Sequence, residues 1–259
     1  RVWGVGIAAV VTLALVSCSG GTTQRVNVAA AADLRYALNE IIALAQDANP
    51  ETEFAVTYGS SGQFLQQIVN GAPFDLYLSA DEAFPQQLVD EGLATDPFPY
   101  AIGRLVLWVP EASPLDPRDG LSVLADARRI SIANPEHAPY GRAAVSAMET
   151  AGIYDEVSNR LVLGENVAQA AEFVMTGNAD AGVVALSLVL SDPLRDVGEW
   201  WEIPVNTFPA IAQGGALITD SSGARVLRDI ITGPAGRDIL ARYGFTLPEA
   251  RCSTGHPSC

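Results

Sequence analysis

The chain has 259 residues, enough for one large domain or two lobes, and 49% apolar against 17% charged residues supplies a sizeable core and excludes a disordered protein. Thirty Asp and Glu oppose fifteen basic residues, all of them arginine, for a net charge of −15. So acidic a chain is excluded as a nucleic-acid binder, which must neutralise phosphates, and it has no basic patch for an anionic membrane; without lysine, Schiff-base chemistry and a phosphate-loop lysine are excluded too.

Residues 4–17 form a 14-residue apolar run ending in small side chains. It is too short to span a bilayer, which takes about 20 residues, but suits the core of a secretion signal. Leu15-Val16-Ser17-Cys18 looks like a bacterial lipobox, so residues 1–17 are expected to be a removed signal and Cys18 a lipidated first residue. Residues 18–24, rich in Ser, Gly and Thr, read as a tether. Cys252 and Cys259 lie in the tail 251–259, where they either close a small disulfide loop or stay unpaired.

The rest alternates apolar runs with amphipathic stretches. Strands are expected at 26–31, 54–58, 75–79, 105–109, 130–133, 181–185 and 216–219. Helices are expected at 34–47, 64–70, 83–91, 141–151, 166–176, 224–231 and 234–243, several of them stopped by a glycine. This alternation predicts an α/β fold with mostly parallel sheets.

Four junctions into helices are built from small or hydroxyl residues: Ala30-Ala31-Ala32-Asp33-Leu34, Tyr58-Gly59-Ser60-Ser61-Gly62, Ala138-Pro139-Tyr140-Gly141 and Gly164-Glu165-Asn166-Val167. Ligands of open α/β sheets sit where such junctions lie. Each helix start offers unpaired N–H groups and a positive dipole end, so several aimed at one point cage an anion without a cationic side chain. A single such junction is more simply ordinary helix capping.

At these residues the sequence resembles the molybdate-binding solute receptors of bacterial ABC importers. The likeness runs from Val26 to Leu247 and is carried most specifically by Gly71-Ala72-Pro73-Phe74-Asp75-Leu76-Tyr77-Leu78-Ser79-Ala80-Asp81 together with Asn134-Pro135-Glu136-His137-Ala138-Pro139-Tyr140-Gly141. The resemblance implies a two-lobed periplasmic-binding fold, each lobe a mixed sheet flanked by helices, with an oxyanion in the cleft. Lobe 1 is then 25–104 and 212–250, and lobe 2 is 105–211. It implies a ligand set of Ala32, Asp33, Ser60, Ser61, Tyr140 and Val167, in which Ser61 donates through hydroxyl and N–H, Val167 through N–H, and Tyr140 sits where some members use a backbone N–H and others a tyrosine hydroxyl. It further implies molybdate or tungstate as ligand rather than a cofactor, permease subunits as partners, a monomer in the periplasm or cell envelope, and no catalytic residues.

Two positions depart from the family pattern. Asp33 stands where serine or asparagine is usual; because a carboxylate repels a dianion, it is expected to turn away and cap its helix. Ala185 stands where many members carry a tyrosine, a donor Tyr140 is expected to replace. A donor-only cage is expected to reject protonated phosphate, whose O–H finds no acceptor. Arg142 is read as an ion-pair partner rather than a ligand. His137 is read as a structural hydrogen-bonder rather than a metal ligand with Asp33 and Asp81, and Trp200 and Trp201 as core or hinge-surface residues. Gly59-Ser60-Ser61-Gly62 is not a nucleophile elbow. Sulfate, another oxyanion, a metal ion and a sensor role remain the alternatives.

Overall fold

The computed structural model describes residues 24–248, so Cys18, Cys252 and Cys259 lie outside the described residues. The chain begins with β1 (Gln24–Ala31), a 3-10 turn (Ala32–Leu34) and α1 (Arg35–Ala48), then β2 (Thr52–Gly59) and α2 (Ser61–Val69). Next come β3 (Leu76–Ser79), α3 (Ala83–Asp90) and β4 (Thr95–Gly103). The middle third supplies β5 (Leu105–Pro110), a 3-10 stretch (Pro117–Asp126), β6 (Ile130–Ala133), α4 (Pro139–Thr150), α5 (Tyr154–Val157) and β7 (Leu161–Gly164). It continues with α6 (Val167–Met175), β8 (Ala181–Ala185), α7 (Leu186–Val189) and β9 (Gly198–Glu202). Last come β10 (Ile211–Leu217), α8 (Ser222–Thr232) and α9 (Pro234–Arg242).

These strands form two five-stranded sheets, β2-β1-β3-β10-β4 and β7-β6-β8-β5-β9. The architecture is α/β and two-lobed, one sheet to each lobe. The sheets are mixed rather than mostly parallel: β1 pairs in parallel with β2 and β3, while β10 runs antiparallel to β3 and β4. The second sheet repeats this plan, with β6 parallel to β7 and β8, and β5 antiparallel to β8 and β9. The parallel pairs come from strand–helix–strand crossovers within a lobe. The antiparallel member of each sheet is the strand that has just arrived from the other lobe, so it points back from the hinge.

Packing follows the two-residue period of a strand. Val26, Val28 and Ala30 of β1 and Leu76 and Leu78 of β3 pack against α1, α8 and α9, whereas Ala29 and Tyr77 face α2 and α3. Both faces of this sheet are covered, which is why β1 reads as a continuous apolar run. The second lobe has its own core, built around Trp108, Ile132, Met148 and Val184. Trp201 packs against that core and Trp200 is partly exposed.

The chain passes between the sheets at Arg104 and again between β9 and β10. The two passages are tied together, because Arg104 Nε donates to Glu202 Oε1 at 2.6 Å and its Nη2 donates to Glu202 Oε2. Among the described residues no helix is long and apolar enough to cross a membrane.

Candidate functional site

Four helical starts converge where the lobes meet. The 3-10 turn leading into α1 brings Ala32 and Asp33, α2 brings Ser61 just after Ser60, α4 brings Tyr140, and α6 brings Val167 just after Asn166. All six residues of the expected ligand set line one small cavity, about 10 Å³ in volume. Its walls are completed by small residues from the same junctions, Ala31, Gly59 and Ala138 among them. A larger hollow of about 450 Å³ lies alongside, between Arg35, Gln169 and Leu194, and shares Asn166 with the cavity.

Ser61 and Val167 are held as donors. Ser61 Oγ accepts the Ala80 N–H at 2.9 Å and its carbonyl accepts the Tyr77 hydroxyl at 2.6 Å, so the Ser61 hydroxyl hydrogen is uncommitted among the described residues. As the first residue of α2, Ser61 also has an N–H without an intrahelical acceptor. The Asn166 side chain caps α6 by accepting from Ala168 N and Gln169 N, at 3.0 and 3.1 Å, and it skips Val167. The Val167 N–H is thereby left for the cavity.

Ser60 and Tyr140 line the cavity but give their hydroxyl hydrogens to protein acceptors. Ser60 Oγ donates to the His137 carbonyl at 2.7 Å and lies 2.8 Å from His137 Nδ1. With its hydrogen given to the carbonyl, the hydroxyl accepts from the ring and ties the lobes. Tyr140 Oη donates to Asp33 Oδ2 at 2.9 Å, so its hydrogen too is committed. Burial and the neighbouring Asp33 hold the Tyr140 phenol well above its ordinary pKa, so it stays neutral.

Asp33 does not cap its helix. The 3-10 turn is entered at Ala31 without a side-chain cap. The Asp33 carboxyl, 1% exposed, is instead met by Tyr140 from the other lobe and by Gln213 Nε2 at 2.5 Å. Asp33 lies inside the turn rather than at its N-cap, and its side chain is taken up by these two donors. Burial raises the carboxyl from 3.8 to about 6, and the Gln213 and Tyr140 hydrogen bonds and the nearby Asp33 and Leu34 amides only partly offset this. The cage is therefore not donor-only, since an acceptor stands in its wall.

The remaining candidates close the lobes or lie apart. Gly62 N donates to the His137 carbonyl at 2.9 Å, Ser187 Oγ donates to the Asp33 carbonyl at 2.8 Å, and Arg142 Nη2 pairs with Asp81 at 2.5 Å. Asp81 also accepts the Ala83 N–H at the start of α3. Ala185 ends β8 and does not line the cavity. No group of three or more His, Cys, Asp or Glu side chains is placed to hold a metal ion among the described residues. Sequence reasoning missed Gln213, whose one signal is a lone polar side chain between small and apolar neighbours in Ile211-Ala212-Gln213-Gly214-Gly215-Ala216.

Residues 26–246 match the family model of bacterial extracellular solute-binding proteins. The chain belongs to that family. The receptor is 36% identical over 252 residues to the molybdate-binding protein ModA of Rhodobacter capsulatus, covering 95% of this chain and 96% of that one. It is 35% identical over 240 residues to ModA of Azotobacter vinelandii, covering 90% and 94%. Its fold superposes on the Azotobacter vinelandii periplasmic molybdate-binding protein with a TM-score of 0.79 at 30% identity, over 86% of this chain and all of that one. Family membership places the receptor outside the cytoplasm.

Proposed function

We propose that this chain captures molybdate, and tungstate with it, in the cleft between its lobes and delivers it to the permease of an ABC importer. The observation that carries this reading is the convergence of four helical starts on one cavity, with the Ser61 hydroxyl and the Ser61 and Val167 N–H groups left uncommitted. Its similarity to molybdate-binding proteins over nearly its whole length supports the choice of anion. The reading assigns capture rather than catalysis, needs no cofactor, and takes the receptor as a monomer held to the membrane by a lipid on Cys18. Lobe 1 is then 25–104 with 212–250, and lobe 2 is 105–211.

Hydrogen bonds to a charged group contribute roughly 1.5–3 kcal/mol each, and a nanomolar site needs about 12 kcal/mol in all. A handful of such bonds and the helix dipoles, up to about 2 kcal/mol each when partly buried, reach that range. Calorimetric titration with molybdate, tungstate, sulfate and phosphate tests the reading. Molybdate and tungstate are expected to bind tightly, and sulfate or phosphate titrating in their place would reassign the ligand. Ser61→Ala is expected to lose roughly 1.5–3 kcal/mol of molybdate binding and, because it also strips the buried Ala80 N–H of its acceptor, to lower the melting temperature by a few degrees without unfolding the receptor. Equal titration of variant and parent would remove Ser61 from the site.

The long-range field does not steer the anion in, because the net charge of −15 repels it. Arg142 is tied to Asp81, and no arginine lines the cavity. Raising the salt from about 10 to 150 mM shortens the screening length from about 30 to 8 Å and is expected not to weaken molybdate binding. A clear loss over that range would place an arginine on the anion.

A further inference from the structure

The two oxygens of the Asp33 carboxyl are treated differently. Oδ2 accepts from Tyr140 Oη and Gln213 Nε2, whereas Oδ1, also buried, has no hydrogen-bond partner among the described residues. Asp33 shares its cavity with Ser61 and Val167, whose uncommitted donors mark where an anion sits. Left bare, Oδ1 would confront a dianion across a dry cleft, where repulsion between like charges is strongest. A proton on Oδ1 removes that conflict without disturbing anything else. Oδ2 remains a carbonyl-type acceptor for Tyr140 and Gln213, and Oδ1 becomes a donor.

We propose that the cleft takes up one proton from solvent together with its anion, and that the proton rides on Asp33 Oδ1, which donates to an oxygen of the bound oxyanion. The proposal rests on the oxyanion reading given above. The groups facing Asp33 favour it. Tyr140 reaches it from α4, Gln213 from β10 and Ser187 from α7, and the Tyr100 phenol of β4 stands near enough to feel its charge. Both phenols are buried and held neutral. Among the described residues no cationic side chain pairs with Asp33; the Arg35 guanidinium, two residues on, lies over the Tyr58 ring. No cationic side chain therefore compensates a negative carboxylate beside a dianion, and the neutral donors that meet Oδ2 offset its burial only in part. Burial already raises this carboxyl to about 6 before any anion arrives.

The test is molybdate titration of the full chain and its Asp33→Asn variant from pH 6 to pH 9, repeated in buffers of different ionisation enthalpy. Asparagine is the isostere of the protonated acid, with its oxygen in place of Oδ2 and its amide N–H in place of the Oδ1 hydrogen. The parent is expected to weaken roughly tenfold per pH unit above pH 7 and to take up close to one proton per anion at pH 8. The Asn variant is expected to bind with no pH dependence over that range, and more tightly than the parent at pH 9. A flat parent profile without buffer-dependent heat overturns the proposal, as does a variant that keeps the parental slope or loses binding at pH 6. If neither protein binds molybdate at any pH, the oxyanion reading itself falls and takes the proton with it.

Discussion

Gly62→Ala is expected to weaken molybdate binding by roughly tenfold to a hundredfold while both lobes stay folded. Gly62 lies in the first turn of α2, in lobe 1, and its N–H donates across the cleft to the His137 carbonyl. A Cβ at this position would lie 2.6 Å from that carbonyl oxygen and 3.1 Å from the His137 Cα. Both atoms are backbone, so no side chain can swing aside to make room. The simplest relief is for the lobes to part, which lengthens the Gly62 and Ser60 bonds to His137 together. Overpacking of this kind costs roughly 1–3 kcal/mol, and here the cost falls on closure. Within α2 itself alanine is the better helix former by about 1 kcal/mol, so the ligand-free melting temperature should hold or rise slightly. Calorimetry and small-angle scattering check this, with a larger radius of gyration expected in the presence of molybdate. Parental affinity in the variant would show that closure tolerates the added methyl.

Asp33→Asn is expected to stabilise the ligand-free receptor by about 2–3 kcal/mol at pH 8 and to have no effect below about pH 4. The sign follows from the raised carboxyl. Its ordinary value is 3.8 and its value in the fold is about 6, so the folded protein holds the proton more tightly than the unfolded chain does. Stability is therefore full below about pH 4, declines as pH rises through 6, and is lower by about 1.4 kcal/mol for each pH unit of the shift once both states are ionised. Asparagine keeps an acceptor for Tyr140 and Gln213 and never ionises. Melting curves from pH 4 to 8 are expected to diverge by roughly 5–10 °C at the upper end. Because Tyr140 and Ser187 reach Asp33 from the other lobe, the parent has one escape, which is to open and rehydrate the carboxylate. Scattering should find the parent more open at pH 8 than at pH 5 and the variant unchanged. Coincident melting curves at every pH would mean that the carboxyl is not held in a dry site.

The elements legible in the sequence are those whose residues meet their neighbours at short range. The strands β1, β3, β6 and β8 are apolar on both faces, and the glycines that stop α2, α3 and α4 sit two residues past their ends. The strands β4, β7 and β9 carry no comparable signal. Each is a sheet edge, β4 carries Pro97 and Pro99, and β7 is four residues long. For β10 only the C-terminal end was read, because Gln213, Gly214 and Gly215 break its apolar pattern.

The site was legible as positions and illegible as chemistry. Small residues and a serine at helix starts can be recognised one junction at a time. Which hydroxyl is free depends on partners far along the chain: Ser60 and His137 are 77 residues apart, Asp33 and Tyr140 107, and Asp33 and Gln213 180. No local pattern encodes those pairings. That is why the hydrogen-bond partners of Ser60, Tyr140 and Asp33 cannot be read from their own junctions.

The position of β10 also constrains how the protein is made. Every strand of the second sheet comes from one unbroken stretch, residues 105–202, so that half can complete its hydrogen-bonded core during synthesis from its own sequence. The first sheet cannot, because β10 is inserted between β3 and β4. Until residue 217 has emerged, β4 has no neighbouring strand and β3 offers a bare edge through the whole production of the other half. A nascent chain thus carries sticky, unpaired backbone for more than a hundred residues of elongation, and a product truncated before β10 keeps one finished half and one split one, a form suited to aggregation rather than to work.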